Sequence, residues 1–475
     1  MIFFIVLLIF MTLNQNHIQL NGLKIHLQGG HGLGPDFHDA VLIEKSVRSK
    51  KNKENSATFS PKHRPMVQYF PDNVRKSHNS DANEQDNFIE SVPLSNDVSD
   101  LMDSRIEKKV QNVSYKINYN NIQPSKRAHI FYYAWYADIA TDGNWQHWNH
   151  EYLPNWKKRD KKHYPTGKHN PNASDIGASF YPELGPYSSR NIEVISKHMH
   201  MMSQNQIGVL VLSWYPPGLS DPNGRSVDEI VPKLLDEADK VGIKLALHIE
   251  PFEGRDANSL RQNLTYVHAT YGSHPAFYKW KGKPMYYIYD SYMVSAKEWA
   301  RLLRPDGDIT IRGTKLDAYV IGLLVEQKHK NDLKFGGFDG FYTYFGANGF
   351  SFGSTWKNWR SLASFARKHS MIFIPSVSPG YNDIRVRPWN GQNTRLRRKG
   401  AYYDIAWRSF MELSLRFVSI TSFNEWHEGT QIEPAIPCSI DKYTYNSYLP
   451  LEPAYYLLKT REWIQSFMSD LEKQS

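Results

Sequence analysis

From about residue 14 to residue 125 the chain shows no sustained period of 2 or of 3.6, and polar clusters such as RSKKNKENS at 48–56 interrupt it. Beyond Lys126 the pattern changes. Short, nearly continuous apolar runs alternate with amphipathic stretches: HIFYYAWY at 129–136, GVLVLSWY at 208–215, KLALHIEP at 244–251, PMYYIYD at 284–290, AYVIGLLVE at 318–326, GFYTYF at 340–345, MIFIPSV at 371–377 and FVSITSFNE at 417–425. Between them Ile192, Ile195, Met199 and Met202 recur at helical spacing and predict a helix over 190–204. A second helix is expected over 226–241, opened by the capping-box pattern Ser226 to Glu229, with Pro232 moving its start a turn later. Others are expected near 257–271, 294–304, 356–368, 399–413 and 453–468, whereas the connection QKHKNDLKFGG between the fifth and sixth runs carries only a weak signal.

Apolar runs of this kind read as parallel strands buried on both faces, and eight strand–helix units read as a closed (β/α)8 barrel, an α/β TIM barrel over residues 126–475. An open doubly wound sheet is the alternative. No Gly-rich dinucleotide fingerprint follows an early strand, which counts against it.

Composition separates the barrel from what precedes it. Every tryptophan lies at or beyond Trp135, while the first hundred-odd residues are rich in Asn, Ser, Lys and His, so residues 21–125 read as a disordered stem. Residues 2–13, IFFIVLLIFMTL, are too short for a comfortable membrane span and closer to a signal-peptide core, so 1–20 is expected to be a signal peptide or signal-anchor. Three acceptor triplets, at Asn112, Asn172 and Asn263, agree with lumenal exposure and are candidate glycosylation sites. The single cysteine, Cys438, excludes an intrachain disulfide, and stability must come from the core. A net charge of +9 permits a nucleic-acid partner, yet the basic residues are scattered and no basic helix with stacking aromatics is present. No cofactor is expected, and no ligand spacing for a metal is recognised.

The chemistry gathers where the strands end. In a barrel, polar residues at the C-terminal ends of the strands converge on one mouth, and here these are Tyr136, Trp214, His248, Glu250, Asp290, Tyr292, Glu326, Tyr344, Asn424, Glu425, His427 and Glu428. Carboxylates interleaved with Trp and Tyr suit a sugar, whose C–H faces stack on flat rings while acids and amides read its hydroxyls. Glu425 and Glu428 stand three residues apart just past an apolar strand, close enough to reach neighbouring oxygens of one sugar. Glycoside hydrolysis needs such a pair, one carboxyl protonated and one ionised. Spacing alone leaves the roles open, and for Glu250, Asp290 and Glu326 substrate contact and charge balance at the rim are both open.

With these segments in hand, the chain resembles glycoside hydrolase family 99, and in particular its animal Golgi members, through FYYAWY, HWNHEYLPNW, YPELGPYSSRN, GVLVLSWYPP, HIEPF, YIYDSY, FDGFYTYFGANGF, FIPSVSPGY, RPWN and SITSFNEWHEGTQIEPAIP. The resemblance runs from about His129 to beyond Pro437. It implies a barrel that cuts inside an α-1,2-linked mannose chain with retention, releasing a glucosyl-mannose fragment from glucosylated high-mannose N-glycans of glycoproteins. It maps the catalytic pair onto Glu425 and Glu428. The first takes the proton of the sugar 2-hydroxyl, which closes a 1,2-anhydro sugar, and the second acts as acid and then base. It also implies a Golgi membrane protein of type II with a lumenal catalytic domain, or a secreted form if the leader is cleaved. Two other readings are an endo-acting mannanase and a lectin-like protein that binds mannose without turnover; the presence of both acids counts against the second.

Overall fold

The computed structural model describes residues 19–20, 23–24, 123–153, 163–221 and 224–474. The chain divides into two units, Met1–His63 and Arg64–Ser475. In the first, Gln19–Leu20 and Leu23–Lys24 pair antiparallel. The apolar run at 2–13, nearly all of the expected stem and the Asn112 triplet lie outside the described residues. No described helix is long and apolar enough to cross a membrane.

In the second unit eight strand positions form a parallel barrel: β1 Ser125–Tyr132, β2 Ile207–Trp214, β3 Lys244–Ile249, β4 Lys283–Ile288, β5 Tyr319–Leu323, β6 Gly340–Tyr342, β7 from Ile372 to Val377, and β8 Val418–Ile420. Neighbours in sequence are neighbours in space, and β8 returns to β1 with Ser419 opposite His129. The seventh position is two segments: Ile372–Ile374 pairs with β6 and Ser376–Val377 pairs with β8. Between them Pro375 has no N–H for the ladder. The Ser376 N–H donates to the Thr343 hydroxyl at 3.0 Å, and the Tyr344 N–H donates to Ser376 Oγ at 2.8 Å, so side chains bridge the gap where the ladder changes partner.

Strand alternation sends one set of side chains to the barrel axis and the other to the helices. On the axis meet His129, Phe131, His248, Tyr287 and Tyr342, with Phe131 ring centroids 4.9 Å from His248 and 5.7 Å from Tyr287. The polar tips are paired, His129 Nδ1 with Tyr287 Oη at 2.7 Å and His248 Nε2 with Tyr342 Oη at 2.6 Å. The alternate set, Ile130, Leu210, Leu212, Leu247 and Ile249, is fully buried and supplies the aliphatic layer between barrel and helices. A barrel lined with aromatic and histidine side chains is already built for a polar mouth.

Each strand is followed by a helix: α1 Ile192–Gln204, α2 Val231–Lys240, α3 Ala257–Thr270, α4 Ala296–Leu303, α5 His329–Gly336, α6 Trp356–Lys368, α7 Ala401–Met411 and α8 Tyr455–Gln474. The weak fifth connection is thus a true helix, closed by Gly337 in the left-handed region at φ +83°. The capping box expected at Ser226 does not form. A 3-10 turn at Asp228–Ile230 leads into α2 instead, with Pro232 in its first turn, where the missing N–H costs nothing.

Candidate active site

The strand β8 ends at Ile420, and residues 421–431 fold over the mouth as a compact turn held by hydrogen bonds on every side. The Glu425 N–H donates to Ser422 Oγ at 2.8 Å, the Trp426 N–H to Tyr136 Oη at 3.2 Å, and the Asn382 N–H to the Glu428 carbonyl at 2.7 Å. Gly429 sits at φ +62°, and a Cβ there would lie 2.8 Å from the Asn382 carbonyl oxygen. Only glycine fits that position without displacing Asn382. Below the turn, Glu433 is completely buried and accepts from Tyr187 Oη at 2.8 Å, from the Trp426 indole at 3.0 Å, and pairs with His198 Nε2 at 3.0 Å.

Glu425 and Glu428 are both buried, at 4% and 8% exposure. Glu425 Oε1 accepts from the His427 N–H at 3.1 Å, and Glu428 Oε1 lies 3.3 Å from Arg387 Nη1. Glu428 Oε2 is buried and has no hydrogen-bond partner. Burial pushes the Glu428 carboxyl up to about 7, against the pull of the Arg387 guanidinium and with the nearby Asp383 and Glu250 carboxylates adding to the rise. Burial and the neighbouring Glu428 charge raise Glu425 well above the usual glutamate range, while the backbone N–H groups of His427 and Glu428 oppose this. Two acids so close and so dry titrate as a pair, whose full ionisation burial and mutual repulsion oppose.

The other expected site residues divide by what they touch. His248, Glu250 and Tyr344 lie together at the mouth: His248 Nδ1 is 3.2 Å from Glu250 Oε1, the imidazole stacks on Tyr344 at 5.8 Å, and Glu250 also accepts from Ser213 Oγ at 2.8 Å. Asp290 accepts from Tyr292 Oη at 2.8 Å, and its carboxyl is raised to about 6 by burial, against the Tyr292 bond and Arg255. His427 is buried beside Glu425 and stacks at 5.5 Å on His147; burial depresses its basicity well below normal. Trp214, Tyr136 and Asn424, by contrast, are engaged by the protein itself. The Trp214 indole donates to Asp228 at 2.8 Å, Tyr136 donates to the Asn424 carbonyl at 3.0 Å, and the Asn424 amide clamps the N–H and carbonyl of Tyr133 at 2.8 Å each. Glu326 is on the rim, 3.1 Å from Lys328.

Arg387 and Asp383, which the sequence reading passed over as individuals, stand next to Glu428. Asp383 is fully buried and accepts from Tyr381 Oη at 2.9 Å, from Asn390 Nδ2 at 2.8 Å and from Arg387 at 3.2 Å. Their signal was the segment SPGYNDIRVRPWNGQNTR at 378–395, a long polar loop after β7. Tyr133 also belongs here, its hydroxyl hydrogen-bonded to that of Tyr344 and within electrostatic reach of Glu425, Glu250 and Glu428. Among the described residues no group of three or more His, Cys, Asp or Glu is arranged to hold a metal ion. Of the two described acceptor triplets, Asn172 is exposed in a 3-10 turn with its side-chain oxygen on the Trp145 indole at 2.9 Å, and Asn263 is half-buried within α3.

Comparison with known proteins places the fold in a family. A glycoprotein endo-alpha-1,2-mannosidase of Xenopus laevis is 50% identical over 354 residues, 74% of this chain and 79% of the relative. A glycoprotein endo-alpha-1,2-mannosidase of Rattus norvegicus is 44% identical over 424 residues, 88% of this chain and 90% of the relative. The solved structure of the GH99 endo-alpha-mannosidase from Bacteroides thetaiotaomicron superposes with a TM-score of 0.68 at 43% identity, covering 73% of this chain and 98% of that one. The model of glycosyl hydrolase family 99 matches residues 124–469, the whole barrel, and the chain therefore belongs to that family of glycoside hydrolases.

Proposed function

We propose that this glycoside hydrolase cuts the internal α-1,2-mannosidic bond of glucosylated high-mannose N-glycans on glycoproteins, with retention, and releases a glucosyl-mannose fragment. The observation that carries the reading is the dry pair Glu425 and Glu428 on one turn, with Glu428 Oε2 unpartnered. The names of the animal relatives support the substrate.

In this mechanism Glu425 removes the proton of the mannose 2-hydroxyl, whose oxygen attacks the anomeric carbon of the same ring. Glu428 gives its proton to the departing glycosidic oxygen, so the C–O bond breaks as the 1,2-anhydro ring closes. Water then opens that ring: Glu428, now ionised, takes its proton, and the 2-oxygen recovers one from Glu425. Carbon is attacked twice from opposite faces, which gives retention. The step needs one proton on the two carboxyls: burial and mutual repulsion oppose full ionisation of the pair, and the Arg387 guanidinium opposes its full protonation. The side chains of Glu250 and Asp290 are the acids left to read hydroxyls of the outer sugars. Entry into the secretory pathway through the N-terminal segment, and a Golgi location, belong to the same proposal.

Incubation with a monoglucosylated high-mannose glycan, followed by mass analysis of the small product, tests the reading. A hexose disaccharide is expected. A single hexose, or no product from a folded enzyme, contradicts it.

A further inference from the structure

The turn that presents the two acids backs onto a cavity of ≈ 220 Å³ whose lining includes Gly429, Asn382, Tyr381 and Arg397 but neither carboxylate. Arg397 crosses it: one nitrogen, Nη2, donates to the carbonyl of Gly429 at 3.0 Å and to that of Gln431 at 2.7 Å.

The guanidinium is held in an unusual way. The residue is 9% exposed, and its terminal carbon lies 4.5 Å from the Tyr456 ring centroid, 4.6 Å from Phe180 and 4.8 Å from Tyr448. Nε and Nη1 make no hydrogen bond. Three ring faces thus stabilise the cation, while Nη2 alone reaches the backbone. A leucine or methionine would fill the same aromatic box without the desolvation of a charge. What the guanidinium adds is the bridge between the two carbonyls that follow Glu428.

We propose that Arg397 is a positioning residue of the active site: by fixing the carbonyls of Gly429 and Gln431 across the cavity it fixes the direction in which the turn presents Glu428. This rests on the reading of Glu425 and Glu428 as the reacting acids. The bridge closes a turn already tied at Glu425 to Ser422 and at Glu428 to Asn382, so each end of the acid pair has its own restraint.

The test is steady-state kinetics of the full chain carrying Arg397→Ala or Arg397→Lys on the glucosylated glycan, with thermal melts of each. For the alanine variant kcat falls by about 10²-fold, the cost of a misplacement of around an ångström, while KM stays within about twofold because binding of the sugar is untouched. Millimolar guanidinium chloride restores part of that kcat, and sodium chloride at the same ionic strength does not. Should the alanine variant fail to fold, lysine decides: its Nζ stops about 1 Å short of the place Nη2 occupies and does not reach both carbonyls, and kcat drops about tenfold at unchanged KM. Unchanged kcat per folded molecule, a KM rise matching the kcat loss, or loss without rescue in a folded alanine variant overturns the proposal. Glu425→Gln, run in parallel, separates the two layers. Full turnover there removes the assignment of the acids, whereas its loss beside an unaffected Arg397→Lys removes only the role of Arg397.

Discussion

A carboxyl that must donate a proton near neutral pH has to sit above the ordinary glutamate range, and at Glu428 burial does this while Arg387 limits the rise. Glu428→Gln keeps the shape and removes the proton; kcat is expected to fall by about 10²- to 10⁴-fold, with binding of the glycan, followed by calorimetry, little changed. Arg387→Gln gives a signed pH test. The guanidinium favours ionised Glu428, so without it the acid keeps its proton to higher pH, and the alkaline limb of kcat/KM moves upward; a limb that stays in place or moves down contradicts this. These two residues also mark what could be read in advance. Glu425 and Glu428 were legible because a carboxylate pair follows an apolar strand within one turn. Arg387 was not, since forty-one residues separate it from Glu428 in the chain and only the folding back of the loop after β7 joins them. Trp214 was misleading for a related reason: aromatic residues at a strand end face either way, and this one donates to Asp228, which also takes bonds from Tyr266 and Tyr271.

Among the elements, the apolar runs predicted strand order and number well but placed several C-terminal ends too late. Tyr133, Ala134, Tyr136 and Phe423 continue the apolar pattern after the ladders stop at Tyr132 and Ile420, because these residues that roof the barrel are nearly as buried as those inside it. Periodicity reports burial, and here burial outlasts the strand. The fifth helix was faint in sequence because α5 has only eight residues and buries three of them, His329, Leu333 and Gly336. Its contact with β5 depends on a glycine. A Cβ on Gly322 would stand 2.3 Å from Leu333 Cδ2 and 2.8 Å from Phe338, so Gly322→Ala is expected to cost about 1–3 kcal/mol by overpacking. Chemical denaturation measures that loss, and kcat at a permissive temperature stays near normal, since α5 packs on the outside of the barrel.

For the molecule as a whole, eight strand positions between Ser125 and Ile420 make a nearly closed barrel with its own buried core, and the family match covers 124–469. Residues 123–475 expressed alone are therefore expected to fold and to cleave the glucosylated glycan with kcat within about threefold of the full chain, an allowance for the usual small effect of surface changes. Loss of activity on removing 1–122 would show that residues before the barrel contribute to turnover. The account itself stands on the claim that one acid works on the mannose 2-hydroxyl while its partner works on the adjacent glycosidic oxygen. The most direct measurement is turnover of a glucosyl-mannoside whose mannose, at the ring cleaved, is 2-deoxy. No product above the background of Glu428→Gln is the predicted result; hydrolysis at a rate near that of the parent sugar would contradict it.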